Sequence, residues 1–214
     1  MKTLIFDMDG TILDTIEDIT NAVNYILVKY GMPKRSVDEV KFFVGNGLYK
    51  TLERSAPSGT SEELLKSIYE EMVSYYKEHS NINTKPYDGI IDAIKTLKAL
   101  GYKTAVVSNK RHEAVVELCH EFYEGLFDEA LGDTENIAKK PAPDMVNIVL
   151  DKLGANKTEA VYIGDSDVDI MTAKNSGLVG ISVSWGFRTK EFLIEHGAEC
   201  IVDTPKELVE KITA

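Results

Sequence analysis

The first two strand-like runs of this sequence lie unusually far apart. Residues 4–6 form a short apolar run that ends in a polar turn, and the next buried-strand pattern begins about 96 residues later, near residue 103. A strand–helix–strand unit needs only about 30 residues. We therefore predict an insertion between two strands of one parallel-sheet core.

The intervening segment carries helical patterns. Apolar residues recur at helical spacing over residues 16–30 and again over 64–76, and the Gly-Asn-Gly sequence at 45–47 separates short helices. Three residue pairs have the spacing of a helix capping box: Thr15 with Asp18, Ser36 with Glu39, and Thr60 with Glu63. The segment is therefore expected to be all helical.

From residue 86 onward, helical stretches alternate with short β-branched runs. Strands are predicted at 104–107, 160–163, 179–183 and 200–202, with an extended segment at 127–131. This alternation is typical of a parallel sheet with helices on both faces. We predict an α/β protein with a Rossmann-like parallel-sheet core formed by residues 1–14 and 86–214, and an all-helical domain at 15–85 inserted in it.

Composition argues against several classes of partner. The 214 residues include 24 Lys plus Arg against 35 Asp plus Glu, a net charge of −11. Such a chain repels nucleic acid and anionic lipid at long range. No apolar run approaches the roughly 18 residues of a spanning helix, and residues 1–3 lead into a strand without a signal-peptide core. We expect a cytoplasmic protein, monomer or dimer, with neither nucleic acid nor membrane as a partner.

The two cysteines do not indicate redox or metal chemistry. Cys119 and Cys200 lie far apart in the sequence, and neither has Cys or His neighbours at metal-site spacing. We expect both to be reduced, packed thiols.

Polar clusters follow three of the predicted strands. In such sheets, ligands bind at the carboxyl ends of the strands. Carboxylates that lie close together there repel one another unless a cation binds among them, and Mg²⁺ prefers oxygen ligands of this kind. Carboxylates, a hydroxyl, an ammonium and a hard cation together indicate phosphoryl transfer. The clusters are Asp7 and Asp9 after the first strand, Ser108 and Asn109 after the second, and Asp165, Asp167 and Asp169 after 160–163, with Lys140 in a loop before a helix.

Four short segments, in order, resemble the motifs of the haloacid dehalogenase superfamily. They are 7–11 (Asp-Met-Asp-Gly-Thr), 108–109 (Ser-Asn), 140–143 (Lys-Pro-Ala-Pro) and 164–169 (Gly-Asp-Ser-Asp-Val-Asp). The helical insert matches the position of that family's small cap domain. The closer resemblance is to phosphoglycolate phosphatases, through 44–48 (Val-Gly-Asn-Gly-Leu), 108–110 (Ser-Asn-Lys) and 183–186 (Val-Ser-Trp-Gly).

The resemblance implies a catalytic pair. Asp7 would be the nucleophile that forms an aspartyl-phosphate. Asp9 would protonate the leaving group and then take a proton from the hydrolytic water. The substrate would be a small phosphorylated metabolite, with 2-phosphoglycolate as the first choice.

The resemblance also implies a Mg²⁺ site and a phosphate site. The metal ligands would be Asp7, Asp165 and the backbone carbonyl of Asp9, with Asp169 orienting metal waters or Lys140 from outside the ligand sphere. The phosphate oxygens would be held by Ser108, Asn109 and Lys140.

Other interpretations of these residues stay open or are excluded. A pyrophosphatase, a sugar-phosphate phosphatase, a β-phosphoglucomutase-like phosphomutase and a phospho-Asp signalling module share parts of the pattern. An EF-hand at 165–176 is excluded, because Ile170 and Ser176 stand where that loop needs Gly and Glu. Asp167 is a candidate for a solvated helix acid, and Arg111 carries no assigned role.

Overall fold

The computed structural model describes Lys2–Ala214, so Met1, the first residue of the predicted core domain, lies outside the described residues. The chain divides into two compact units. One comprises residues 2–13 with Pro86–Ala214, and the other comprises Asp14–Lys85. The second unit therefore begins at Asp14, one residue before the predicted start of the inserted domain at 15.

The first unit is built on a parallel sheet. Within the described residues, six strands have the order β5-β4-β1-β6-β7-β8, and two short strands, β2 and β3, form a separate sheet where the chain passes between units. The strands are β1 (Thr3–Phe6), β2 (Leu13–Asp14), β3 (Lys85–Pro86), β4 (Lys103–Arg111), β5 (Glu129–Asp133), β6 (Ala160–Gly164), β7 (Val179–Val183) and β8 (Ile201–Val202). The predicted α/β class with a parallel sheet is confirmed.

The helices occur where the periodicity predicts them. In the second unit they are α1 (Ile16–Lys29), α2 (Val37–Phe43), α3 (Leu48–Ser55) and α4 (Glu62–His79). In the first unit they are α5 (Ile90–Ala99), α6 (His112–Tyr123), α7 (Asp144–Leu153), α8 (Asp167–Ser176), α9 (Lys190–Glu195) and α10 (Pro205–Thr213). Among the described residues, no helix is both long and apolar enough to span a bilayer.

The core of the first unit lies on both faces of the sheet. Successive side chains of a strand point to opposite faces. Leu4 and Phe6 pack in a cluster with residues of α5, α6 and α10, whereas Ile5 packs in a second cluster with residues of α7 and α8. Cys119 lies in the first cluster as a free, buried thiol, and burial raises its pKa to about 12. β1 is therefore held rigidly in the middle of the unit.

Strand β4 is longer than predicted. The sequence ended it at Val107, but the structure continues it to Arg111, with a register shift against β5 between these two residues. Ser108 and Asn109 thus lie within the strand. Neither residue caps the next helix, because α6 has Arg111 at its N-cap and no side-chain cap bond.

The second unit confirms one predicted capping box and corrects two. Ser36 and Glu39 exchange the expected bonds at the start of α2. At α4 the cap is Ser61 rather than Thr60. At α1, Thr15 makes no side-chain cap bond.

Asp18 has distant partners instead of the cap of α1. Its buried carboxylate accepts from the backbone N–H of Asn83 (2.9 Å to Oδ2) and of Thr84 (2.8 Å). The Asn83 amide (2.8 Å) and the Thr84 hydroxyl (2.9 Å) also donate to it. These hydrogen bonds connect the first turn of α1 to the segment at the end of the same unit.

Arg54 on α3 braces the loop between α2 and α3. Its guanidinium donates to the carbonyl of Phe43 (2.9 Å) and to Oδ1 of Asn46 (2.7 Å). Gly45 and Gly47 have φ of 123° and 85°, values that favour glycine. The loop shape is therefore specified by residues of its own unit.

Candidate active site

The three central strands of the sheet end at one edge. β1 pairs with β4 on one side and with β6 on the other, all parallel. After β5 the chain crosses from the β4 side of β1 to the β6 side, and ligand sites of open α/β sheets form where the order reverses in this way. Polar residues of β1, β4 and β6 therefore meet at this edge, as the sequence predicted.

Asp7 directly follows β1 and faces an ammonium group. Its backbone N–H donates to Ile163 at the end of β6 (2.9 Å). Its Oδ1 accepts from the N–H of Met8 (2.7 Å) and lies 2.8 Å from Lys140 Nζ. Both contacts end on Oδ1, so neither engages Oδ2.

Asp165 follows β6 and is held by two loops. Its Oδ1 accepts from the hydroxyl of Thr11 (3.1 Å), and its Oδ2 accepts from the N–H of Phe187 (2.7 Å). The indole N–H of Trp185 donates to the Thr11 carbonyl (3.0 Å), which ties the loop after β7 to the loop after β1. The carboxylate is therefore fixed from both sides.

Glycines make this close packing possible. A Cβ on Gly10, whose φ is 86°, would lie 2.3 Å from Oδ2 of Asp165. A Cβ on Gly186 would lie 2.3 Å from both the Asp165 Cβ and the Gly10 carbonyl oxygen. Any larger residue would force the Asp165 carboxylate out of position.

Asp169 and Tyr162 complete the surroundings of Lys140. Lys140 Nζ lies 2.8 Å from Asp169 Oδ1 and 3.0 Å from the Tyr162 hydroxyl, in addition to Asp7. Asp169 also accepts from the Tyr162 hydroxyl (3.1 Å) and from the hydroxyl of Ser166 (2.6 Å). An ammonium has three N–H donors, so these three partners match its whole capacity.

The β4 residues take two different positions. Ser108 is buried, and its hydroxyl accepts from the N–H of Lys110 (3.3 Å). The Asn109 amide donates to the Lys140 carbonyl (3.0 Å) and accepts from the Lys140 N–H (2.9 Å). Asn109 therefore fixes the backbone of the Lys140 loop.

Asp9 pairs with a lysine of its own. Its Oδ1 lies 2.9 Å from Lys110 Nζ. By contrast, Asp7, Asp165 and Asp169 offer oxygens that lie within 4.8 Å of one another, and all three side chains are buried. The structure thus adds Asp169 to the group of close carboxylates and separates the Asp9 side chain from it.

The crowded carboxylates fit a divalent cation. Burial, together with the nearby Asp169, raises the pKa of Asp7 to about 8 in spite of Lys140. Burial and Asp169 likewise raise the pKa of Asp165 to about 7. Both shifts express the cost of placing like charges in a buried site, and a cation among them removes that cost. The all-oxygen donor set is that of a hard divalent metal.

Two residues considered in the sequence, Asp167 and Arg111, lie outside this group of contacts, and two residues within it, Tyr162 and Phe187, are not predicted from the sequence. The Asp167 side chain is partly exposed, 3.5 Å from Arg188, and Arg111 is exposed. The sequence predicts Tyr162 only as part of an apolar strand, and no pattern in it indicates a role for the N–H of Phe187. Alternation along β6 places Tyr162 on the same face as Gly164, but no pattern shows that its hydroxyl meets Lys140.

Comparison with known proteins shows the family to which the chain belongs. The family model of haloacid dehalogenase-like hydrolases matches residues 4–183. The phosphoglycolate phosphatase of Rhodobacter capsulatus is 33% identical over 189 residues, covering 86% of this chain and 85% of that protein. That of Caulobacter vibrioides is 30% identical over 220 residues, covering 99% and 92%.

Solved structures show the same likeness. A protein from Lactobacillus delbrueckii subsp. bulgaricus, provisionally named a phosphoglycolate phosphatase, superposes with a TM-score of 0.94 at 40% identity, covering 99% of each chain. The chain belongs to the haloacid dehalogenase-like hydrolase family. It is phosphoglycolate phosphatase-like, and the class of enzyme is that of the phosphoric monoester hydrolases.

Proposed function

We propose that this enzyme hydrolyses 2-phosphoglycolate with the help of Mg²⁺. The observation that carries the proposal is the placement of Lys140 between Asp7 and Asp169, beside the buried Asp165. With Mg²⁺ held among the three carboxylates, the metal and the Lys140 ammonium would offset the negative charge that otherwise keeps a phosphate dianion away from a carboxylate nucleophile. The names of the relatives support the choice of substrate.

Asp7 is the proposed nucleophile. Oδ2, which the contacts with Met8 and Lys140 do not engage, attacks phosphorus, and the bond from phosphorus to the leaving oxygen breaks. An aspartyl-phosphate results. Lys140, held in place by Tyr162 and Asp169, offsets the negative charge that collects around Asp7.

Asp9 is the proposed proton carrier. It donates a proton to the leaving alkoxide in the first step. In the second step it takes a proton from water, whose oxygen attacks phosphorus and releases inorganic phosphate from Asp7. The same carboxyl group is then ready for another cycle.

The remaining site residues bind and orient. Ser108 would donate to a phosphate oxygen. Asn109 is also proposed to contact the phosphate, and its amide fixes the backbone of the Lys140 loop. Asp7, Asp165 and the Asp9 carbonyl would hold Mg²⁺, with Asp169 outside the ligand sphere. When bound, Mg²⁺ supplies positive charge that stabilises the transferring phosphoryl group.

The helical unit, Asp14–Lys85, is proposed to serve as the cap. Its place in the chain, directly after the loop of Asp7 and Asp9, is that of the small cap of the family. A cap would exclude water and select the leaving group.

Phosphate release tests the proposal. We would compare 2-phosphoglycolate, pyrophosphate, sugar phosphates and nucleoside monophosphates, each with Mg²⁺ and with EDTA. The highest kcat/KM is expected for 2-phosphoglycolate with Mg²⁺, and no release is expected with EDTA or from Asp7→Asn. A preference for pyrophosphate or a sugar phosphate would overturn the substrate but leave the catalytic roles. Sugar-phosphate interconversion without release would indicate a mutase, and stable labelling of Asp7 a signalling module.

A further inference from the structure

Two aspartates of the first loop have separate ammonium partners. Asp7 faces Lys140, which comes from the loop before α7, and Asp9 faces Lys110, which comes from the end of β4. The Lys110 side chain is 6% exposed and that of Asp9 is 15% exposed. The second pair is therefore largely withdrawn from water, and loss of either member would leave a poorly solvated charge.

The contact with Lys110 distinguishes the two carboxyl oxygens of Asp9. The contact with Lys110 ends on Oδ1 and does not engage Oδ2. A proton-transfer group must lie within hydrogen-bond reach of the atom it serves, so the orientation of its carboxyl group limits the rate. Lys110 restrains the carboxyl on one side, and Oδ2 is left to carry the proton.

We propose that Lys110 is a positioning residue for Asp9. It holds the carboxyl group apart from the cluster of Asp7, Asp165 and Asp169, in the orientation that proton transfer to the leaving group requires. This inference rests on the proposed phosphatase mechanism and adds to it a residue that acts through Asp9.

The dependence on the leaving group tests this role. An alkyl phosphate such as 2-phosphoglycolate needs a proton on its departing oxygen, whereas p-nitrophenyl phosphate releases a stabilised phenolate. Lys110→Met is expected to lower kcat/KM about 100-fold for the alkyl phosphate and less than about fivefold for the aryl phosphate. Lys110→Arg should restore most of the loss, because it keeps a cation near Asp9.

The control is Lys152→Met, which removes an exposed lysine whose Nζ lies 2.9 Å from Glu129 on the same unit. It should leave both substrates unchanged. Adding Lys110→Met to Asp9→Asn should cause no further loss with the alkyl phosphate, since the two residues act as one unit. Equal losses on both substrates with Lys110→Met would overturn the inference and indicate a general structural role.

A crystal structure of Lys110→Met tests the positioning role of Lys110 without any substrate. The Asp9 side chain is expected to leave its present orientation or to occupy several. An unchanged Asp9 carboxyl would overturn the inference. A wild-type enzyme that releases phosphate from neither substrate would instead reject the proposed function, and the crystal structure would still decide the part of Lys110 in holding Asp9.

Discussion

At the scale of single residues, the ammonium of Lys140 is the centre of the site. Its three partners come from three places in the chain: Asp7 after β1, Tyr162 within β6, and Asp169 on α8. The Tyr162 hydroxyl bonds both Lys140 and Asp169, and burial raises its pKa well above its usual value. The hydroxyl therefore stays neutral and keeps its proton as a donor.

Tyr162→Phe tests the importance of this hydroxyl. The variant leaves the ring in place but removes a bond to a charged group, which is worth about 1.5–3 kcal/mol. We expect kcat/KM to fall about tenfold or more, and stability to fall as well. Tyr102→Phe is the matched control, because its hydroxyl donates to the Ile212 carbonyl (3.1 Å) away from the site. Similar activity in both variants would contradict the prediction.

Which residues of the site can be predicted from the sequence depends on how far apart in the chain the contacting residues lie. The convergence of Asp7, Ser108 and Asp165 could be predicted, because each follows an apolar, strand-like run of the sequence closely. The pairing of Lys140 with Tyr162 could not, since a tyrosine at 162 looks like any other core residue of the strand. The Thr15–Asp18 pair has the spacing of a cap, yet Asp18 bonds residues about 65 positions away. Spacing cannot reveal such distant competition.

At the scale of elements, the loop after β7 contacts both Asp165 and the loop after β1. Gly186 lets this loop approach Asp165 closely. Of its two neighbours in the sequence, Trp185 donates to the Thr11 carbonyl and Phe187 donates to the Asp165 carboxylate. The sequence pattern Val-Ser-Trp-Gly indicated a resemblance but gave no reason for the glycine. The structure supplies one.

Gly186→Ala is expected to impair both activity and stability. The added Cβ would lie 2.3 Å from Asp165 Cβ and the Gly10 carbonyl. Overpacking of this kind costs about 1–3 kcal/mol, and the displaced Asp165 would weaken metal-dependent phosphate release. Gly180→Ala on β7 is the control, since its Cβ meets Ala173 at 3.1 Å, where a small shift suffices. The prediction fails if Gly186→Ala retains wild-type turnover and thermal midpoint.

The Asp18 contacts make a second prediction for an element. Asp18→Asn loses hydrogen bonds to a charged acceptor and should lower the free energy of unfolding of the helical unit by about 1.5–3 kcal/mol. The amides of Asn83 and Thr84 should exchange hydrogen faster. Asp38→Asn, at a side chain that is 90% exposed, is the control and should change neither quantity.

The pH dependence of this effect has a defined sign. Although burial opposes it, the hydrogen bonds from Asn83 and Thr84 hold the pKa of Asp18 below its ordinary value of 3.8. A lowered pKa gives stability that is present above the unfolded value and is lost as the pH falls through the folded value. Wild type and Asp18→Asn should therefore converge in strong acid. A constant difference down to that range would contradict the assignment.

At the scale of the whole molecule, the crowded carboxylates link stability to pH and metal. The pKa of Asp7 is raised to about 8 and that of Asp165 to about 7, from an ordinary value of 3.8. A raised pKa gives stability that is full below the unfolded value and is lost as the pH rises. The metal-free protein should lose this contribution between about pH 4 and pH 8.

Thermal unfolding with Mg²⁺ and with EDTA checks this. A cation that binds the folded state stabilises it, and it binds the ionised carboxylates. The rise in midpoint with Mg²⁺ is expected to be larger at pH 8 than at pH 5, and Asp165→Asn should reduce the difference. An equal rise at both pH values would contradict the prediction.

The contact of Asp18 with Asn83 and Thr84 has a consequence for how such proteins diversify. It closes the inserted segment at its own base, so the two points where the chain enters and leaves lie side by side. Segments with adjacent ends are the ones that insertion and exchange tolerate best. A different helical unit can then replace this one without disturbing the loop of Asp7 and Asp9. Under the proposed function, the choice of substrate and the chemistry of phosphoryl transfer would then evolve as separate modules of one gene.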